Sequence, residues 1–263
     1  MQSSLKHGCV IYLKSFVFCL SMVNSVLHVI LLDCAIELIP KELTATKAIQ
    51  RYAAKKKKKP NQLLLDQTQH GQVMVRLDNH SRRGRPDITY LSMLSMLETP
   101  LCKEGLLTIH LHLQDGRIVE VSPETRLPRS YDRFIGLFEQ LLEKRQVPVD
   151  SKPLMRITSK RLPDLLHELK ASGPTPQTVL FVEGGRHTTM NDLCRLLPDS
   201  NATPMIVGVG AFPHGEFDKE IAQFFDERIE LDREVMMAWH VCAEVIWTYS
   251  WKSHVIDKRY HSV

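Results

Sequence analysis

Val207-Gly208-Val209-Gly210-Ala211-Phe212-Pro213-His214-Gly215-Glu216-Phe217 closes an apolar run that begins at Met205 and opens onto a segment with helical spacing, Phe217–Phe225. A buried strand, a permissive turn and a helix in succession form the repeating unit of a parallel α/β sheet. The glycines suit a tight strand-to-helix turn, and they equally suit a backbone that comes close to a ligand. The stretch matches neither G-x-G-x-x-G nor the Walker pattern, since no Gly-Lys-Ser/Thr follows. It points to a fold class before it points to a chemistry.

The same alternation extends in both directions. Upstream, Thr178–Val182 predicts a strand that ends at Glu183-Gly184-Gly185, a second permissive loop, while Leu154–Ile157 and Leu162–Lys170 predict another strand and helix. Downstream, Val235–Tyr249 predicts a long last helix that buries Ala238, Val241, Cys242, Val245 and Tyr249. Nearer the start, Val29–Leu32 suits a buried strand, Glu42–Lys56 a helix ending in cations, and Leu63–Leu65 a short strand. Asp66–Arg85 is a polar stretch, and Pro86 opens a helix that reaches about Leu97. Leu106–Leu113 and Arg117–Val121 flank Gln114-Asp115-Gly116 as a hairpin. Tyr131–Leu142 carries Phe134, Leu137, Phe138, Leu141 and Leu142 on one helical face. The pattern predicts an α/β fold with a mostly parallel sheet.

The 263 residues carry 34 Lys+Arg against 30 Asp+Glu, a net charge of +4, with 43% apolar and 24% charged residues. Such a balance excludes wholesale disorder and a collagen-like fibre. So small an excess of cations matters only where it is clustered. The six cysteines (Cys9, Cys19, Cys34, Cys102, Cys194 and Cys242) share no C-x-x-C spacing, which argues against a zinc site or a disulfide framework and for a reducing compartment. Val10–Leu32 is mostly apolar. Phe16–Val23 has the character of a signal-peptide h-region, with Val23-Asn24-Ser25 as a loose cleavage site; the alternative is an N-terminal stretch leading into a first strand. Lys14, Asn24, His28 and Asp33 spoil a transmembrane span. Lys55–Lys59, stopped by Pro60, is either a solvated helix end favoured by the dipole or a phosphate-binding or nuclear-targeting patch.

Two arginine clusters carry the chemistry. Arg82-Arg83-Gly84-Arg85-Pro86-Asp87 lies at the entrance to a helix, and Arg126, Arg129 and Arg133 bracket Pro128 and the start of the Tyr131 helix. Guanidinium groups at a helix N-terminus oppose its dipole and need a compensating anion. Either a phosphate supplies it, or Glu120 and Glu124 do so as internal ion pairs. Glu98 follows Asp87 by eleven residues on the same helix face, about 16 Å away at 1.5 Å per residue, so the two form no dyad. Asp87 must orient an arginine or act alone on a substrate proton. His110 and His112 share a strand face and make metal binding geometrically conceivable, but no third ligand is near in sequence, and solvated strand histidines are the plainer expectation. Met236 and Met237 are expected to pack in the core.

Arg83-Gly84-Arg85-Pro86-Asp87-Ile88, Lys103-Glu104-Gly105, Pro123-Glu124-Thr125-Arg126-Leu127-Pro128-Arg129, Arg133-Phe134-Ile135-Gly136-Leu137 and Gly210-Ala211-Phe212-Pro213-His214-Gly215, in this order, resemble one family. It is the SPOUT-superfamily methyltransferases that modify N1 of a pseudouridine in small-subunit ribosomal RNA, the nucleolar essential protein family of ribosome biogenesis. Met237-Ala238-Trp239 resembles its archaeal branch, and the resemblance runs from about Val29 to Tyr249.

The resemblance implies a single SPOUT domain over 29–263 after an extension at 1–28, with helices on both faces of the sheet and a C-terminal deep trefoil knot. No general topology rule would propose the knot, since threaded chains are exceptions. It implies S-adenosylmethionine as cofactor, held by Val182, Glu183 and Gly184 in one loop, Gly210 to Gly215 in a second, and Leu231, Asp232, Arg233, Glu234, Val235 and Met236 in a third. It implies RNA contacts from Arg83, Arg85, Arg126, Arg129 and Arg133, and catalytic roles for Arg85 and for Asp87, which would orient or accept the N1 proton. The partners implied are a flipped nucleotide in a small-subunit rRNA hairpin loop and a second copy of the chain, with no membrane and no metal. The location implied is the cytoplasm, or the nucleolus in a eukaryote.

Three features depart from the family pattern. Threonine is usual where this chain has Val182, Gln67-Thr68-Gln69-His70 matches only in part, and Met1–His28 has no counterpart. The competing expectation is a non-catalytic rRNA-binding assembly factor that keeps the basic groove without the cofactor. A nicotinamide oxidoreductase built on the glycine turn lacks the fingerprint and the acidic residue about twenty positions on.

Overall fold

The structure is a computed structural model that describes residues 27–171, 175–198 and 204–261. The signal-peptide reading of Phe16–Val23 and nearly all of the 1–28 extension lie outside the described residues. In chain order the elements are β1 (Leu27–Cys34), α1 (Lys41–Thr44), α2 (Lys47–Lys56), α3 (Gln67–Met74), α4 (Pro86–Met96), α5 (Pro100–Lys103), β2 (Leu107–Leu113) and β3 (Ile118–Val121). There follow α6 (Tyr131–Lys144), β4 (Gln146–Val147), β5 (Met155–Thr158), α7 (Leu162–Ala171), β6 (Gln177–His187) and α8 (Met190–Leu196). The last are β7 (Met205–Gly210), α9 (Lys219–Ala222), β8 (Glu227–Glu230), α10 (Ala238–Lys252) and α11 (Val255–His261).

The strands make one sheet in the order β4-β5-β3-β2-β1-β7-β6-β8. The run β2-β1-β7-β6-β8 is parallel throughout, and β3, β5 and β4 add an antiparallel flank. The sheet is therefore mostly parallel, as the alternation predicts. β1 is central because its side chains are apolar in both directions. Leu27, Val29 and Leu31 enter one core with α4, α6 and α10, while Ile30 and Leu32 enter a second under α7, around Leu162, Leu165, Leu166 and Leu169. Helices thus cover both faces. A smaller cluster around Leu43, Ile49, Leu65 and Met74 packs α1, α2 and α3 to one side.

Several expected elements change in detail. The helix expected over Glu42–Lys56 is broken at Ala45-Thr46, where the Thr44 and Thr46 hydroxyls donate to the Lys41 and Leu43 carbonyls, 2.8 Å each, and Thr46 is extended. Leu63–Leu65 makes a single bridge, Leu38 to Leu64, rather than a strand. The polar stretch Asp66–Arg85 contains α3, which Asp66 caps by accepting from the Thr68 N–H at 2.8 Å. The helix expected over Phe217–Phe225 shrinks to one turn because the phenyl rings at both of its ends are drawn elsewhere, Phe217 against Phe212 and Phe225 beneath Gly208. The last helix starts at Ala238 rather than Val235, and β1 starts two residues before Val29. β6 continues through Glu183-Gly184-Gly185 with a register irregularity between Phe181 and Arg186, so the second permissive loop is a bulge within a strand.

Candidate functional site

Because β1, β7, β6 and β8 are parallel neighbours, the segments that follow them emerge along one edge of the sheet, the edge where open α/β sheets bind ligands. Backbone hydrogen bonds stitch them together. The Ala211 N–H donates to the Leu32 carbonyl at 2.8 Å, the Ala35 N–H to Ala211 at 3.0 Å, and the Arg85 N–H to Ala35 at 3.0 Å. The first arginine cluster therefore sits one strand from the glycine turn. On the other side, the Gly184 N–H donates to Glu230 Oε2 at 2.8 Å, which ties the first expected cofactor loop to the root of the third.

The glycine turn is built around the protein's own rings. A side chain at Gly208 would meet Phe225 and Leu32, and one at Gly210 would meet Phe217 and Phe212. Gly215, at φ +95°, leaves room for the Arg82 Nη1, which a Cβ would approach to 2.9 Å. Gly184 differs: it is left-handed at φ +74°, with open space where a side chain would be. Val182, in the first expected cofactor loop, packs half-buried against the second core. In the third segment Leu231 and Met236 lean on the first core, whereas Asp232, Arg233, Glu234 and Val235 are exposed. Met236 packs as expected; Met237 does not, since it is half-exposed at the surface.

The two arginine clusters resolve the question of the counter-anion in opposite ways. In the first, each guanidinium has a carboxylate. Arg82 meets Asp33 at 3.3 Å, Arg83 forms a two-bond fork on Glu37 at 2.6 Å each, and Arg85 forms one on Asp87 at 2.8 Å each. Asp87 thus orients an arginine with both of its oxygens. In the second cluster the expected internal partners are engaged elsewhere: Glu120 takes Arg156 and Lys160 at 2.7 and 2.9 Å, and Glu124 faces Lys152 at 4.0 Å. Arg126 donates only to the carbonyls of Pro123 and Thr125. Among the described residues, the exposed guanidinium groups of Arg129 and Arg133 meet no acceptor. Arg126 also borders a cleft of about 410 Å³ lined by Leu137, Gln140, Val147 and Pro148, so this cationic surface is concave at one end.

Two tyrosines join the clusters. The Tyr90 hydroxyl of α4 donates to the Arg129 carbonyl at 2.6 Å, and the Tyr131 hydroxyl of α6 donates to Asp66 Oδ2 at 3.0 Å. Their rings lie 5.5 Å apart, with Phe134 4.7 Å from Tyr90. Burial, then Asp66, pushes the Tyr131 hydroxyl pKa far up, with Asp87 adding and Arg85 opposing, so Tyr131 lies within electrostatic reach of the Arg85–Asp87 fork.

Spacing gave no warning of the roles of Asp33, His112, Tyr90 and Tyr131. Asp33 is the penultimate residue of β1, in the left-handed region at φ 51°, and His112 is near the end of β2, 79 residues away; only the adjacency of the two strands brings them together. His112 Nδ1 lies 3.2 Å from Asp33 Oδ1. The histidines of β2 are therefore not solvated, as expected, but packed: His112 is buried, and both ring nitrogens of His110 are shut away from water. Among the described residues no three His, Cys, Asp or Glu side chains gather to hold a metal. The lysine run is partly structural, since Lys58 reaches the buried Glu139 at 2.5 Å.

The family model described as EMG1/NEP1 methyltransferase matches residues 29–250. The chain is 38% identical over 227 residues to the ribosomal RNA small subunit methyltransferase Nep1 of Pyrococcus furiosus, covering 86% of this chain and 97% of that protein. It is 37% identical to the Nep1 of Staphylothermus marinus over 84% of this chain and 93% of that protein. Its fold is similar to the crystal structure of Archaeoglobus fulgidus Nep1 bound to S-adenosylhomocysteine, with a TM-score of 0.75 and 29% identity, covering 88% of this chain and 99% of that one. The chain belongs to the EMG1/NEP1 methyltransferase family.

Proposed function

We propose that the protein uses S-adenosylmethionine to methylate N1 of a pseudouridine in a hairpin loop of small-subunit ribosomal RNA, acting as a homodimer in ribosome biogenesis. The observation that carries it is a set of exposed guanidinium groups, Arg126, Arg129 and Arg133, that meet no carboxylate among the described residues, with Tyr90 holding the Arg129 carbonyl and Tyr131 within electrostatic reach of the Arg85–Asp87 fork. Unpaired arginines on an exposed face suit phosphates, and a fork held ready by a carboxylate suits one oriented nucleotide. Arg83, engaged by Glu37, supports the segment from behind.

The residues at the sheet edge fit the cofactor. Gly184 leaves open space, Glu183, Asp232 and Glu234 offer exposed carboxylates for hydroxyl and amino groups, and Leu231 and Met236 offer an apolar wall for a base; Gly210 and Gly215 shape the turn between. When bound, S-adenosylmethionine supplies an already activated sulfonium methyl. The chain's own task is then to hold the nucleoside in line and exclude water. With both Asp87 oxygens on Arg85, Asp87 fixes the direction of the guanidinium toward the base; it accepts a proton only if the fork opens.

The dimer reading draws on Leu91 of α4 and Trp247 and Trp251 of α10, exposed apolar side chains on two helices packed together. The same family reading places a deep trefoil knot in the C-terminal part. Among the described residues no helix is long and apolar enough to cross a membrane. Incubation with labelled cofactor and a pseudouridine hairpin, read by nucleoside mass spectrometry, tests the activity. Absence of methyl transfer together with absence of calorimetric heat for S-adenosylhomocysteine would favour the assembly factor instead.

A further inference from the structure

Arg82 takes no part in the roles assigned above, yet it is held by a carboxylate, a carbonyl and an aromatic ring at once. Its guanidinium carbon lies over the Phe212 ring, 3.9 Å from the centroid, and the group donates to the Glu216 carbonyl through Nη1 and to Asp33 Oδ2 at 3.3 Å through Nη2. Its own carbonyl accepts from Gln114 Nε2 at 2.6 Å. The turn yields to it as well, because Gly215 is the residue whose missing Cβ makes the space for Nη1. Asp33 is fixed in turn by His112, whose Nδ1 faces both its Oδ1 and, at 3.4 Å, its backbone nitrogen. The chain of contacts runs from β2 through β1 to the arginine segment and ends on Phe212–Glu216.

We propose that Arg82 is a positioning residue that sets the conformation of the Phe212–Glu216 turn from the arginine segment, with Asp33 and His112 holding its guanidinium in place. The physical reason is that, among the described residues, no backbone–backbone hydrogen bond holds Phe212–Glu216. Phe212 meets Phe217 edge-on at 5.2 Å, lies close to Gly210, and carries the guanidinium over its ring. Removing Arg82 frees the ring, the Glu216 carbonyl and the Asp33 carboxylate together. A cation stacked on an aromatic and bonded to a carbonyl is a geometry that lysine does not reproduce. The consequence is directional. The residue sits in the arginine segment but acts on the cofactor side, so it should affect cofactor affinity and leave RNA affinity alone. The inference rests on the proposed cofactor reading of the turn.

The test uses the full chain with Arg82→Gln, the milder Arg82→Lys, and Phe212→Leu. S-adenosylhomocysteine affinity is measured by calorimetry, pseudouridine-hairpin affinity by filter binding, and folding by thermal unfolding. Arg82→Gln is expected to weaken S-adenosylhomocysteine binding at least about tenfold and to raise the cofactor KM with a smaller change in kcat. Arg82→Lys should fall between it and the unaltered protein. Hairpin affinity should stay within about threefold, and the Arg82→Gln/Phe212→Leu double variant should lose no more than the worse single variant. Unchanged S-adenosylhomocysteine affinity in both Arg82 variants overturns the proposal, as does an equal loss of hairpin affinity, which would make Arg82 an RNA contact. If the unaltered protein itself gives no heat with S-adenosylhomocysteine, the cofactor reading falls and this inference with it; if it binds and the variants bind equally, only this inference falls.

Discussion

Tyr90, in the second turn of α4, holds the backbone carbonyl of Arg129 at 2.6 Å and that of Pro128 at 3.2 Å. One hydroxyl thereby fixes the segment that presents the unpaired arginines to the helix that begins with Pro86. The arginine side chain itself is exposed, so its placement depends on its main chain. Tyr90→Phe keeps the ring contacts with Phe134 and Tyr131 and removes only the hydrogen bonds. A stability loss of about 1 kcal/mol is expected. Hairpin affinity should fall several-fold while S-adenosylhomocysteine affinity holds, and equal hairpin affinity in a binding titration would show that the segment keeps its shape without the bond.

Arg129 and Arg83 should separate cleanly. Arg129→Ala removes a guanidinium that meets no acceptor among the described residues, so thermal stability should stay unchanged while RNA binding weakens and its salt slope drops by about 1. Arg83→Ala breaks a fork on Glu37 in which both side chains are about three-quarters shielded. That change should cost about 2 kcal/mol in stability and shift the salt slope less. Hairpin titrations at three salt concentrations, beside denaturant melts, check both.

Asp87→Asn replaces a charged two-bond fork by a neutral side chain that cannot accept at both positions. Arg85 then loses its direction but not its charge. Single-turnover methyl transfer should slow by about tenfold or more, with hairpin affinity falling less, in keeping with an interaction that matters most at the transition state. An unaltered single-turnover rate would remove the fork from the chemistry.

The sheet and its helices were legible because they depend on periodicity: β1, β7, α4, α6 and α7 appear where apolar spacing put them. α3 and α8 were hidden because Gln67–Met74 is short and mostly polar and Met190–Leu196 spans barely two turns and buries Leu193 alone. The arginines were legible as charge, but not their division into paired and unpaired. That division depends on Glu37, Asp33 and Glu120, which local spacing does not connect to them. Glu120 lies only six residues before Arg126, yet β3 pairs with β5 and hands it to Arg156 and Lys160. The glycines carried a real signal with a different immediate cause, since Gly208, Gly210 and Gly215 make room for Phe225, Phe217, Phe212 and Arg82.

His110 makes the fold sensitive to acid. Both its ring nitrogens, on β2, are buried without a partner among the described residues, and burial lowers its pKa to about 4, with the neighbouring His28 pushing in the same direction. His28, buried and bonded to the Thr108 hydroxyl at 2.6 Å, is likewise lowered to about 4 by burial. In the unfolded chain both titrate near the ordinary value of 6.5. Between those values the unfolded state binds more protons than the folded one, so stability rises with pH through that window and is lost as pH falls from 6.5 toward 4. A shift of this size corresponds to roughly 3 kcal/mol per group as an upper limit. His110→Leu removes the titrating group and fills the space with an apolar side chain. The unaltered protein should lose denaturant resistance steeply between pH 6.5 and 4.5, and the His110→Leu variant markedly less, while the two differ little at pH 8. Parallel pH dependences in urea melts would show that the His110 ring finds water or a partner when protonated, so that its charging costs the fold nothing.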